Sequence, residues 1–101
     1  MVLTVFRNRL RPDATDYPDL AARMSEIARA MPGYLSHKTF VAEDGERVTL
    51  VEFESEEAQR AWRTHPEHLE AQKRGRREFY VGYRLQVCTV QRETRHPVEK
   101  S

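Results

Sequence analysis

From Val2 to Leu10 apolar and polar residues alternate, the period of a half-covered β-strand. Leu3 and Val5 fall on one side, and Thr4, Phe6 and Asn8 on the other. The stretch from Arg11 to Asp16 reads as a loop, with Thr15 or Asp16 placed to cap a following helix. In that helix Leu20, Met24, Ile27 and Met31 recur at i, i+4, i+7 and i+11 and make one apolar stripe, which Pro32-Gly33 ends. Tyr34 to Val41 and Arg47 to Glu54 read as strands, and Asp44-Gly45 between them predicts a type I′ hairpin turn. Ser55 followed by Glu56 and Glu57 opens a second helix, with Ala58 and Trp62 on one face. Pro66 disfavours helical geometry at His65, so a break is expected there and a further helical segment from Pro66 to about Phe79. Tyr80 to Arg92 is the last predicted strand, and residues 94–101 are expected to be a frayed, disordered tail.

The order β-α-β-β-α-β predicts an α+β, ferredoxin-like domain over residues 1–93, with both helices on one face of a four-stranded antiparallel sheet. The strands carry apolar residues on both sides. Thr49, Val51 and Phe53 oppose Val48 and Leu50; Tyr83, Leu85 and Val87 oppose Cys88 and Val90. Two helices cover one face, so the open face is expected to pair with a second copy of the chain in a homodimer.

Composition narrows the function. With 17 basic and 16 acidic residues the net charge is +1, which offers no broad field for nucleic acid or an anionic membrane. The third strand also lacks the basic-glycine-aromatic RNA-binding signature. No apolar run approaches the roughly 20 residues that span a bilayer. A lone Cys88 excludes an internal disulfide and fits a reducing cytoplasm.

Few residues offer chemistry. Trp62, the single tryptophan, serves as core packing, as the wall of an aromatic-binding pocket, or as both. Asn8 shares its strand side with Thr4 and Phe6; if buried, its amide needs a partner, and a substrate carbonyl or phenolate is one. His65 and His68 have a spacing that could hold a metal, but Pro66 interrupts the helix and no third ligand lies nearby, so no metal is expected. As a general base for a phenolic substrate, His68 is the first choice and His37 the second. Tyr80 and Tyr83 offer hydroxyls or simple packing. The basic run Lys73, Arg74, Arg76 and Arg77 is flanked by Glu70 and Glu78 and reads as a solvated face.

The segments Met31-Pro-Gly-Tyr34, Glu43-Asp-Gly45, Val51-Glu-Phe-Glu-Ser55, Ala58-Gln-Arg-Ala-Trp-Arg-Thr-His-Pro-Glu-His68 and Phe79-Tyr80 resemble the antibiotic biosynthesis monooxygenase family over about residues 2–92. The resemblance implies a dimeric α+β barrel with a ligand pocket between helices and sheet. It also implies one of three activities: oxidation of phenolic polycyclic substrates by O₂ without metal or flavin, degradation of haem, or binding without catalysis. Asn8 and Trp62 match the haem-degrading pattern, but Gln72 stands ten residues after Trp62 where that pattern has the axial histidine. Phe53-Glu-Ser55 stands where quinone-forming members have Trp-Glu-Ser, and Thr49 stands where they have an asparagine. The expectation is a cofactor-independent monooxygenase for a small phenolic or polyketide-like substrate, with haem as the alternative cofactor. Asn8 and His68 are the catalytic candidates, and Trp62, Phe53, His65, Gln72 and Tyr83 the substrate-binding ones.

Overall fold

The computed structural model describes residues 1–97. Strand β1 (Val2–Leu10) leads into helix α1 (Tyr17–Ala30). Strands β2 (Tyr34–Val41) and β3 (Arg47–Phe53) follow as a hairpin. Helices α2 (Glu56–Arg63) and α3 (Pro66–Arg74), a wide π-type turn (Gly75–Phe79) and strand β4 (Tyr80–Thr89) complete it. The strand order is β2-β3-β1-β4 and every neighbouring pair is antiparallel. This is the ferredoxin-like arrangement expected from the hydrophobic pattern.

The register sorts the side chains into rows. On β1, Val2 faces Phe53 and Thr89, Thr4 faces Val51 and Val87, Phe6 faces Thr49 and Leu85, and Asn8 faces Arg47 and Tyr83. Val2, Thr4, Asn8, Val51 and Phe53 are buried with Ile27, Ala28 and Phe79, so these rows form the face under the helices. The helix layer stops short of the outer strand: Tyr83, Leu85 and Val87 lie on the helix side yet remain 44%, 43% and 43% exposed. The opposite face carries Leu3, Val5, Val48 and Leu50, with Phe40 exposed beside them. No helix among the described residues covers it.

Local signals explain most boundaries. Gly33, at φ 82°, ends α1 in a conformation that favours glycine, and a Cβ there would stand 2.7 Å from Ala58 Cβ on α2. Ser55 Oγ accepts the Ala58 N–H at 3.1 Å and caps α2. The break at His65 falls where Pro66 predicts it, with His65 Nδ1 accepting the Glu67 N–H at 3.1 Å.

Four details differ from the sequence expectation. Asp16 stands at the N-cap of α1, but its side chain makes no capping hydrogen bond. The hairpin turn is not type I′, because Asp44 keeps a negative φ and only Gly45 (φ 89°) is left-handed. Gly45 N–H bonds to Ala42 O, and Asp44 Oδ1 accepts the Glu46 N–H, which makes a type I turn closed by a left-handed glycine. Strand β4 ends at Thr89 and not at Arg92: its pairing with β1 ends where Val2 faces Thr89, with one further bond from the Val90 N–H to Met1 O at 3.1 Å. The third helix gives way at Gly75 to the wide turn, since Gly75 packs directly against the Tyr80 ring. Residues 94–97 belong to no helix or strand, and 98–101 of the expected tail lie outside the described residues.

Candidate functional site

Two groups of side chains occupy the space between the helices and the sheet, one toward each end of β1. The first surrounds Trp62. Helix α2 carries Gln59 and Trp62 one turn apart on its inward face, and the His65 break folds α3 back so that His68 returns to Trp62. The Trp62 ring lies 5.5 Å from Phe53 and 4.3 Å from His68, centroid to centroid.

The hydrogen bonds of His68 select its tautomer. Nδ1 is 3.2 Å from the Arg63 carbonyl oxygen, which can only accept, so Nδ1 carries the hydrogen. Nε2 then holds the lone pair a general base needs. Gln72 also stands 3.2 Å from Nδ1, and with that nitrogen protonated its amide must present oxygen rather than nitrogen there. Burial lowers the His68 pKa below the ordinary histidine value, against the opposing pull of the Arg63 carbonyl and with a smaller lowering from His65. The ring is therefore neutral at physiological pH.

The other histidines are occupied by structure. His37 Nδ1 meets Tyr34 Oη of its own strand at 2.7 Å and Nε2 meets Ser25 Oγ at 3.1 Å, so both nitrogens are occupied and the second ties β2 to α1. His65 caps α3. Among the described residues no three of His, Cys, Asp and Glu gather where a metal ion could be held.

The second group surrounds Asn8. Arg47, Asn8 and Tyr83 form one row across β3, β1 and β4. Phe6, Tyr17, Phe79, Tyr80 and Tyr83 make a chain of edge-to-face and tilted ring contacts beside it. Tyr80 Oη donates to Tyr17 Oη over a long 3.5 Å, and burial raises the Tyr80 pKa far above the ordinary tyrosine value. An added Cβ on Gly75 would stand 2.5 Å from the Tyr80 ring, so this glycine lets the turn close onto that side chain.

Between and within the two groups lie buried polar atoms that have no hydrogen-bond partner among the described residues. They are Thr4 Oγ1, both amide atoms of Asn8, Arg47 Nε, Gln59 Oε1 and Trp62 Nε1. Thr4, Asn8 and Gln59 are 1%, 2% and 1% exposed. Leaving such groups unmade costs about 1–3 kcal/mol each, so proteins seldom keep several without a use.

The structure thus brings Trp62, Phe53, His68 and Gln72 together, sets His65 at their margin as a cap, and places Asn8 and Tyr83 at the far end. Asn8 lies six residues along β1 from Val2, the partner of Phe53, or about 20 Å of strand. Asn8 and His68 share no hydrogen bond among the described residues. Sequence reasoning did not single out Thr4, Gln59 or Arg47. Thr4 lies four residues from Asn8 on the same strand side, and Gln59 lies three residues before Trp62 on one helix face, so both were accessible by periodicity. Arg47 becomes visible only through the strand register.

A profile of the family described as antibiotic biosynthesis monooxygenase matches residues 1–74. The chain belongs to this family. As an antibiotic biosynthesis monooxygenase family member it is similar to YqjZ of Bacillus subtilis, with 32% identity over 89 residues that cover 88% of this chain and 78% of YqjZ. Its fold is shared by Rv0793 from Mycobacterium tuberculosis, at a TM-score of 0.80 and 24% identity, covering 93% of this chain and 98% of that one. It is shared as well by SnoaB, a cofactor-independent oxygenase from Streptomyces nogalater, at a TM-score of 0.75 and 17% identity, covering 91% and 94%. The family is monooxygenase-like. In this member no helix of the described residues is long and apolar enough to cross a membrane.

Proposed function

We propose that this chain is a cofactor-independent monooxygenase that oxidises a small phenolic or polyketide-like aromatic substrate with O₂. The observation that carries the reading is the set of buried, unpartnered polar atoms on Thr4, Asn8, Gln59 and Trp62, interleaved with aromatic rings. A flat ligand with a few oxygens is the kind of molecule such a surface suits: rings against Phe53, Trp62 and Phe6, oxygens against the orphaned donors and acceptors.

Chemically, the neutral His68 accepts a proton at Nε2 from an activated C–H or phenol, leaving a delocalised anion. The unpartnered Trp62 Nε1–H, beside His68, stabilises the charge on its oxygen. Asn8, about 20 Å of strand from the Phe53 end, lies too far from His68 to act on the same atoms as the sequence pairing expected. The anion reacts with O₂; the activated CH₂ ends as C=O, one oxygen atom is retained, and the other leaves as water with the two substrate hydrogens. The substrate supplies the electrons, and the protein supplies desolvation, a base and an oxyanion partner.

The open sheet face, with Leu3, Val5, Val48, Leu50 and Phe40, suits a second copy of the chain, and the active form is read as a homodimer. Haem fits the residues poorly. The position ten after Trp62 holds the Gln72 amide beside His68, which offers no axial nitrogen base.

The test is an O₂ electrode with an anthrone, a reduced polycyclic phenol, as substrate, alongside the quenching of Trp62 fluorescence. Uptake above the uncatalysed rate, saturable, one O₂ per anthrone and lost in His68→Gln, is the expected result. Saturable quenching without uptake would leave a binding module, and a Soret shift on adding haem would replace the reading with a haem protein.

A further inference from the structure

Arg47 is set apart from the arginines at the same end of β1. On the open face Arg7 pairs with Glu46 at 2.8 Å and Arg9 with Asp44 at 2.7 Å. Arg47 opens β3 on the helix side, and among the described residues no carboxylate pairs with it. Its Nε is buried and makes no hydrogen bond. Directly opposite it in the strand register, with Cα atoms about 5 Å apart, stands Asn8, 2% exposed and with both amide atoms unpartnered.

A half-sequestered cation beside an unsatisfied amide has one evident complement. Taking a guanidinium N–H out of water without an acceptor is unfavourable, and a planar oxygen anion relieves it by accepting from the guanidinium fork. The Tyr17 ring lies under the Arg47 guanidinium, 5.5 Å from its centroid, and helps hold that fork in place. Asn8 adds an N–H donor and a carbonyl acceptor next to it. The Phe6, Tyr80 and Tyr83 rings close the same end of the face.

We propose that Arg47 and Asn8 form an anion-receiving subsite that takes an aromatic hydroxy acid. Its carboxylate sits on the Arg47 fork and the Asn8 N–H, and its neighbouring hydroxyl donates to Asn8 Oδ1. The inference rests on the reading that the space between helices and sheet receives an aromatic ligand, and it narrows that ligand's class. Arg47 acts here as a specificity-determining residue.

Titration calorimetry of the full chain with 1-hydroxy-2-naphthoate and with its uncharged analogue 1-hydroxy-2-naphthamide separates the two claims. The acid is expected to bind at least tenfold more tightly than the amide, with an affinity that weakens as salt is added. Arg47→Met keeps the aliphatic stem against Tyr17 and is expected to bring the two affinities together by weakening the acid alone. Arg47→Lys keeps the charge without the planar fork and is expected to give an intermediate preference; it also stands in if the Met variant does not fold. Equal binding of acid and amide by the unaltered chain would overturn the subsite and leave the aromatic reading standing. A preference that survives in a folded Arg47→Met would do the same. Binding of neither probe would remove the aromatic reading itself.

Discussion

The rings of Trp62 and His68 lie 4.3 Å apart at an angle of 49°, so the only tryptophan of the chain reports on the histidine proposed as base. An imidazolium quenches indole emission more strongly than a neutral imidazole does. Emission is therefore expected to fall on acidification, with a midpoint below about 6.5, the ordinary histidine value, because burial lowers the His68 pKa. His68→Gln should remove the transition. A midpoint at or above the ordinary value would contradict the buried placement.

The same shift has a thermodynamic sign. Since the folded chain holds His68 at a lower pKa than the unfolded chain does, the unfolded chain takes up the proton first as pH falls. Stability linked to the neutral ring is complete above about 6.5 and is lost as pH drops from there through the lower folded pKa. Urea unfolding of the unaltered chain and of His68→Gln should diverge in their pH dependence over that window. Parallel curves would show that the ring does not titrate between the two states.

Asn8 separates function from stability. An amide with two unpartnered buried atoms costs the free protein stability, so Asn8→Leu, similar in size and apolar, is expected to raise unfolding free energy by about 1 kcal/mol. The same substitution should weaken binding of an aromatic hydroxy acid at the Arg47 end of the site, read by titration calorimetry. A destabilised Asn8→Leu would mean that the amide is satisfied in the fold and serves structure.

Gly75 reports on the wide turn. A methyl group there meets the Tyr80 ring at 2.5 Å, and relieving that contact requires moving a half-buried aromatic residue. Gly75→Ala is expected to destabilise by about 1–3 kcal/mol in urea unfolding. Unchanged stability would show that the turn can open without cost.

The open face predicts association. Sedimentation velocity should give twice the chain mass of 11.9 kDa, and Leu50→Arg, which puts a charge at the centre of that face, should give the chain mass alone. A monomeric unaltered chain would leave the face without its proposed partner.

How much of this was legible in the sequence varies with the range of the interactions. The α1 stripe, the Ser55 cap and the His65–Pro66 break depend on neighbours within a turn or two, and all three appear as the pattern predicts. The hairpin was legible as a turn but not as a turn type, because an Asp-Gly pair serves both forms and the Asp44 bond to Glu46 N–H selects one. The last strand ended early because its length is set by β1, a strand some eighty residues away in sequence. The site divides in the same way. Trp62 and His68 are six residues apart in one segment and were each named as candidates, whereas the expected pairing of Asn8 with His68 does not form and Arg47 meets Asn8 only through a pairing between two strands that no local pattern specifies.

The unpaired atoms on Thr4, Asn8, Gln59 and Trp62 also make the protein's own stability a detector for any molecule that satisfies them. A ligand present at a hundred times its dissociation constant adds about 2.7 kcal/mol to the folded state. In a domain of this size each kilocalorie moves the melting midpoint by roughly 4–8 °C. A simple melting screen against a library of natural aromatic acids and phenols could therefore reveal the physiological ligand before any reaction has been observed.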